Sequence, residues 1–279
     1  MNTAAVRDDG FDLVRRLVRD QAAIVLDSGQ AYLLDARLGP VAKDLGFGSV
    51  SQLVAELRDG RRPELRDLVV EAMTTNETSF FRDVTPFQVM ERELLPSMIA
   101  ARGANRTLRI WCGACSSGQE PVSIGIMLLE SHPELADWSV TIDATDINRA
   151  MVDRTRAATY SQLEVNRGLR APLLLKYFRR KGLAWTVEPI IRSMIRAEPM
   201  NLVEPWTVRG PYDFVFMRNV LIYFDAKTKR EILERIARVL APDGYLFLGG
   251  AETTVGVHER FERLPHPMAS CYRLRGTTK

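Results

Sequence analysis

Trp111-Cys112-Gly113-Ala114-Cys115-Ser116-Ser117-Gly118-Gln119-Glu120-Pro121 joins a short apolar run, Thr107 to Trp111, to a helical pattern, Pro121 to Glu130, and this junction decides the fold. Two glycines and several small side chains at a strand-to-helix turn let the backbone approach a ligand closely, as ligand-binding α/β loops do. No Gly-Lys-Ser/Thr closes the loop and the spacing is not G-x-G-x-x-G, which disfavours nucleoside triphosphates and NAD. Downstream, apolar runs and helical patterns keep alternating. Ser139 to Thr145 reads as a strand and Arg149 to Ala157 as a helix. Tyr212 to Met217 is a strand, Ala226 to Leu240 a helix with Leu233, Ile236, Ala237 and Leu240 inward, and Tyr245 to Leu248 a strand after the turn Pro242-Asp243-Gly244. The alternation predicts an α/β fold, a doubly wound parallel sheet with its ligand at the carboxyl ends of the strands. Tyr160 to Asn201 breaks the rhythm, with a helix over Ala171 to Arg180 and extended pieces at Leu183 to Val187 and Ile190 to Ala197. It reads as a small β insertion at about 180–200.

Upstream, Phe11 to Met73 shows apolar residues at helical spacing, in Phe11, Val14, Leu17, Val18 and again in Leu53, Val54, Leu57. Breaks are expected at Asp27-Ser28-Gly29, Gly39-Pro40, Gly46-Phe47-Gly48 and Gly60, with an N-cap near Gly48-Ser49. The 279 residues, 26% charged and 46% hydrophobic, are ordinary for a globular chain of about two domains. No apolar run reaches the ~18 residues of a membrane span, and Met1 to Gly10 lacks a signal peptide's apolar core, so a cytoplasmic protein without membrane insertion is expected. The net charge of +3 comes from 32 Arg and 6 Lys scattered among nearly as many acids, which argues against nucleic acid as a partner.

Two acids suit a nucleoside ligand without phosphates. Glu120 at the helix start is placed to pair with an amino group, and Asp146, ending the strand in Ala144-Thr145-Asp146-Ile147-Asn148, to receive ribose hydroxyls. Asp146 alone also reads as a helix N-cap. S-adenosylmethionine, with a sulfonium, an ammonium and a ribose diol, fits this pair better than NAD does. The rival reading of the loop is redox, because Trp-Cys-Gly-x-Cys between strand and helix is the local form of a thioredoxin-type site. Ala114 in place of a proline and the extra Ser116-Ser117-Gly118 argue against it. Zinc is disfavoured because His132, His258 and His266 offer no spaced pair to join the two cysteines, and no metal site is expected.

Five separated motifs carry a family resemblance: Asn76-Glu77-Thr78-Ser79-Phe80-Phe81-Arg82-Asp83, Ser116-Ser117-Gly118-Gln119-Glu120-Pro121, Ala144-Thr145-Asp146-Ile147, Arg218-Asn219-Val220-Leu221-Ile222-Tyr223-Phe224 and Asp243-Gly244-Tyr245-Leu246-Phe247. In this order and spacing, from about Phe11 to Arg275, the chain resembles the CheR family of chemotaxis-receptor protein-glutamate methyltransferases. The resemblance implies a helical N-terminal domain over 1–75 and a class I S-adenosylmethionine-dependent methyltransferase domain over 76–279, with a seven-stranded sheet and a β-subdomain insertion. It implies receptor glutamates as substrate, adaptation in chemosensory signalling as the role, and S-adenosylhomocysteine as product.

By the same resemblance Asn76, Thr78 and Arg82 line the cofactor and substrate pocket, Glu120 and Asp146 hold the methionine amino end or the ribose, and Asn201-Leu202 and Arg218-Asn219 frame the adenosine. Arg82 and Tyr223 are the residues expected to act on the transferring group. Without the family, Asn76 and Thr78 also read as turn residues, Tyr223 as a buried aromatic, and Phe80 and Phe81 as core. Gln119-Glu120-Pro121-Val122 departs from the family's frequent Glu-Glu-Pro-Tyr, so one tyrosine contact is missing. The short turn Arg179-Arg180-Lys181-Gly182 resembles members that act without tethering to a receptor's C-terminal pentapeptide. The partner implied is the cytoplasmic coiled coil of chemoreceptors, met by a monomer. Two other functions fit the same residues: methylation of another carboxylate or small molecule, and a regulatory module that binds S-adenosylmethionine without turnover. Retention of Arg82, Asn219 and Tyr223 argues against the inert module.

Overall fold

A computed structural model describes residues 3–266 and 269–276, with side chains from residue 9 onward. The end of the second expected domain, at 279, lies outside them. The chain divides into two compact units, one of residues 1–75 with 223–228 and the other of residues 76–222 with 229–279.

The first unit is helical: α1 (Thr3–Ala22), α2 (Tyr32–Asp44), α3 (Val50–Asp59) and α4 (Glu64–Met73). Their apolar stripes face one core, with Phe11, Val14 and Val18 of α1, Leu38 of α2, Leu53 of α3 and Leu65 and Val69 of α4 all buried. α3 begins where expected, the Ser49 hydroxyl accepting the Gln52 N–H at 3.2 Å, and stops at Gly60 with φ 69°. Gly39-Pro40 is not a break. α2 runs through it, because Leu34, Leu38 and Ala42 bury one face on both sides of Pro40 and that burial outweighs the missing N–H.

The second unit holds short helices α5 (Thr85–Val89) and α6 (Leu95–Arg102) ahead of the sheet. There follow β1 (Thr107–Gly113), α7 (Gln119–Ser131), β2 (Ser139–Asp146), α8 (Arg149–Ala157), β3 (Thr159–Ser161), α9 (Gln162–Val165), α10 (Ala171–Tyr177), β4 (Phe178–Lys181), β5 (Ala184–Val187), α11 (Pro189–Arg192), β6 (Ile195–Pro199), β7 (Tyr212–Met217), α12 (Ala226–Val239), β8 (Leu240–Leu248), β9 (Phe261–Arg263) and β10 (Ser270–Leu274). The main sheet has seven strands in the order β6-β2-β1-β7-β8-β10-β9. β6, β2, β1, β7 and β8 run parallel, and β10 is antiparallel to both its neighbours. Every residue of β7 is buried, as expected of a strand covered on both faces. The strand order reverses between β1 and β7, and in sheets of this kind ligands bind at the carboxyl ends of the strands at such a point.

The insertion differs from its expected place. Its three strands pair as β3-β5-β4 over residues 159–187, whereas Ile195–Pro199 pairs with β2 in the main sheet. The helix expected to reach Arg180 ends at Tyr177, because Arg179, Arg180 and Lys181 pair with Thr186, Trp185 and Ala184 across the Gly182 turn. β8 also passes through Pro242-Asp243-Gly244, absorbing these residues as an irregularity against β7. Arg102 fixes that irregularity by donating to Asp243 at 2.6 and 2.9 Å and to buried Asp213 at 2.8 Å. No helix among the described residues is long and apolar enough to cross a membrane.

Candidate active site

The loop after β1 is held in an uncommon backbone path. Ala114, Ser116 and Gly118 have φ of 55°, 51° and 89°, the left-handed region that non-glycine residues hold only when their surroundings dictate it. Three contacts supply that constraint: Cys115 N–H to the Thr145 carbonyl at 2.9 Å, Ser116 N–H to Asp146 Oδ2 at 2.8 Å, and the Tyr160 hydroxyl to the Ser117 carbonyl at 3.0 Å. The insertion therefore takes part in shaping the loop. Phe80 packs edge-on against Tyr160 and Phe178, and the Ser116 hydroxyl donates to the Asn76 carbonyl at 2.8 Å, which ties the Asn76–Asp83 segment to the same place.

Asp146 ends β2 and is 6% exposed. Its Oδ1 accepts the Asn148 N–H at 2.9 Å, while the cap of α8 is Asn148 itself, whose side chain accepts the Met151 N–H. The N-cap alternative for Asp146 is thereby removed. Burial pushes its carboxyl above the ordinary aspartate value of 3.8, against the opposing pull of the N–H groups of Asn148, Ser116 and Ile147. Glu120, in the first turn of α7, is partly buried, with its side chain 14% exposed, and partial desolvation raises its carboxyl despite the nearby guanidinium groups of Arg218 and Arg82.

Arg218 follows β7 with a side chain only 2% exposed. Its Nη1 donates to Glu120 Oε2 at 2.7 Å, and its Nη2 to Asp83 Oδ2 at 2.7 Å and the Arg82 carbonyl at 2.9 Å. The guanidinium expected beside the adenosine is thus spent largely on joining the Arg82-Asp83 segment to α7. Its Nε is buried without a hydrogen-bond partner among the described residues. Arg82 is partly exposed, with Nη1 on the Glu77 carbonyl at 2.9 Å. Thr78 lies on the same segment, half-buried. Phe80 is fully buried core, and Phe81 lies partly buried against it.

Asn201 and Leu202 follow β6 and stand beside the end of β2, because the Met200 N–H bonds the Asp146 carbonyl at 2.8 Å. Leu202 is buried and its carbonyl accepts the Trp206 indole N–H at 3.0 Å. Asn219 has φ 58°, and its N–H goes to Glu252 Oε2 at 2.8 Å. Asn76, Thr78, Arg82, Glu120, Asp146, Asn201, Leu202, Arg218 and Asn219 all belong to the second unit. Tyr223 falls in the segment that belongs to the helical unit, where its carbonyl accepts the Val25 N–H at 2.9 Å. Glu252 is absent from the sequence-derived set. The available signal was an acid in a small-residue turn, Gly249-Gly250-Ala251-Glu252, directly after an apolar strand.

The cysteines do not behave as a redox pair. Cys112 and Cys115 are free thiols, 0% and 2% exposed, and burial pushes both well above the ordinary thiol value of 9.0. A reactive cysteine needs the opposite shift.

The donors and acceptors at this edge fit S-adenosylmethionine. A buried and a partly buried carboxylate suit a diol and a cation, a partly exposed guanidinium suits a carboxylate, and Arg218 Nε is a buried donor with no partner among the described residues. Comparison with known proteins agrees. The chain matches the family model "CheR methyltransferase, all-alpha domain" over residues 9–74 and "CheR methyltransferase, SAM binding domain" over 76–269. It is 40% identical over 269 residues to Chemotaxis protein methyltransferase 1 of Pseudomonas aeruginosa, covering 95% of this chain and 97% of that one. It is 36% identical to Chemotaxis protein methyltransferase of Vibrio parahaemolyticus, covering 99% and 100%. Against Chemotaxis protein methyltransferase of Escherichia coli K12 the identity is 30%, covering 92% and 88%. With both domain models matched in order and relatives aligned over nearly their full length, the chain belongs to the CheR methyltransferase family.

Proposed function

We propose that this protein transfers a methyl group from S-adenosylmethionine to glutamate carboxylates on the cytoplasmic coiled coil of chemoreceptors, as a monomer and without a pentapeptide tether. The observation that supports this most is the pairing of a buried carboxylate, Asp146, and a partly buried one, Glu120, with a partly exposed Arg82 whose charge acts on Glu120. When bound, S-adenosylmethionine supplies an electrophilic methyl on a sulfonium. The protein's part is binding and alignment. Asp146 accepts from the ribose hydroxyls, Glu120 draws the ammonium end, and Asn201, Leu202 and Asn219 frame the adenosine. A substrate glutamate, with an ordinary pKa of about 4.3, is already ionised at neutral pH, so no residue has to remove a proton. Arg82 orients that carboxylate. Holding oxygen, carbon and sulfur in line and excluding water lowers the barrier of a step in which opposite charges cancel.

The test is incubation with methyl-labelled S-adenosylmethionine and receptor-containing membranes. Label on receptor that mild base releases as methanol is expected of a glutamyl ester, and Arg82→Ala should lower its rate at least tenfold. Base-stable label, or label confined to small molecules, overturns the proposal.

A further inference from the structure

Glu252 is only 6% exposed, and four backbone N–H groups from two loops converge on its carboxylate. Oε2 accepts from Gly249 at 2.6 Å and Asn219 at 2.8 Å, and Oε1 from Val220 at 2.8 Å and Ile222 at 3.3 Å. These loops leave the carboxyl ends of β7 and β8, the edge that bears the site, and at a strand end such donors have no ladder partner. Asn219 holds a left-handed backbone at φ 58°, and Glu252 takes both its N–H and that of the next residue. The packing leaves no slack. A Cβ on Gly249 would stand 2.7 Å from Asn219 Nδ2 and 2.8 Å from Glu252 Oε2.

We propose that Glu252 is a positioning residue for methyl transfer, its carboxylate fixing the turn on which Asn219 presents its side chain to the cofactor. The proposal rests on reading Asn219 as a cofactor contact. Glu252→Gln keeps the shape of the side chain but turns an NH2 toward donors that need an acceptor.

The test compares Glu252→Gln, Asn219→Ala and the double variant by calorimetry with S-adenosylhomocysteine, by KM for S-adenosylmethionine and for receptor, and by thermal unfolding. Each single change should raise the S-adenosylhomocysteine Kd and the S-adenosylmethionine KM at least tenfold, leaving receptor KM within twofold. The double variant should be no more than about threefold worse than the weaker-binding single one, because both act through one group. If Glu252→Gln binds within twofold of the parent while Asn219→Ala is impaired, the site reading stands and the positioning role falls. If Asn219→Ala is unimpaired, the reading of Asn219 falls and takes the positioning role with it. A rise in both KM values with a lowered unfolding midpoint makes Glu252 merely structural and overturns the proposal. Should Glu252→Gln fail to fold, Gly249→Ala presses on the same contact. It should show the same tenfold loss of cofactor affinity, and unchanged affinity overturns the proposal.

Discussion

Asp146 is held by two effects that pull against each other. Its oxygens already accept the N–H groups of Ser116 and Asn148, and burial makes its ionised form costly. Because its folded pKa is raised, its contribution to stability is greatest below the unfolded value near 3.8 and is lost as pH rises through the folded one. Asp146→Asn does not titrate. The midpoint difference, variant minus parent, should therefore rise between pH 4 and pH 7 in thermal melts, whatever constant offset the lost acceptor adds. A flat or falling difference would show that the carboxylate is not raised. The same substitution should weaken S-adenosylhomocysteine binding by about 1–3 kcal/mol, the range for a hydrogen bond to a charged group, measured by calorimetry. Arg218 poses a related problem, since Glu120 and Asp83 both lean on it. Arg218→Ala strands the partly buried Glu120 carboxylate and should cost about 3 kcal/mol in urea unfolding, the low end of the range for a fully buried pair. The added change Glu120→Gln should recover part of that loss, because no unpaired charge is then left behind.

At the level of elements, the loop between β1 and α7 depends on a left-handed backbone that favours glycine. Gly118 sits at φ 89°, and a Cβ there would lie 2.9 Å from Thr155 Cγ2 and 3.1 Å from Thr155 Cα. Gly118→Ala should therefore cost more than about 1 kcal/mol from backbone strain alone, read as a lower urea midpoint, and should weaken S-adenosylhomocysteine binding with it. Gly118 could be read in advance because local chemistry dictates it. The same holds for β1, β2, β7 and their helices, whose apolar periods survive any packing. What escaped was decided by distant partners. The break expected at Gly39-Pro40 follows from backbone propensity, yet Leu34, Leu38 and Ala42 override it by packing in a core that lies elsewhere in sequence. Ile195–Pro199 looks like any extended piece until β2 claims it as a neighbour. Glu252 stands over thirty residues from Asn219, so no local pattern links the two. Asp146 and Glu120, by contrast, sit where strand ends and helix starts put them, so their places in the fold were legible from the sequence alone.

For the whole molecule, the proposed meeting with a receptor is a question of charge. The helical unit carries Arg58, Arg61, Arg62 and Arg66, which the family resemblance links to docking and which otherwise form a solvated face. Three of them have acidic partners: Arg58 with Asp9 at 2.8 Å, Arg61 with Asp59 at 2.8 Å, and Arg62 with Glu64 at 2.9 Å. These pairs are exposed, and exposed pairs contribute little to stability, so either partner can be traded for another at small cost. An acidic helix offered by a receptor would compete with Asp59 and Glu64 for the same guanidinium groups. Reversing Arg61 and Arg62 to Glu should leave the unfolding midpoint and the S-adenosylhomocysteine affinity nearly unchanged. The receptor KM should rise severalfold and lose much of its dependence on ionic strength, since these charges act in encounter and not in the chemical step. Methylation kinetics at about 50 and 300 mM salt separate the two readings of this cluster. Equal KM and equal salt slopes in parent and variant would return the arginines to a solvated face and place receptor recognition elsewhere on the chain.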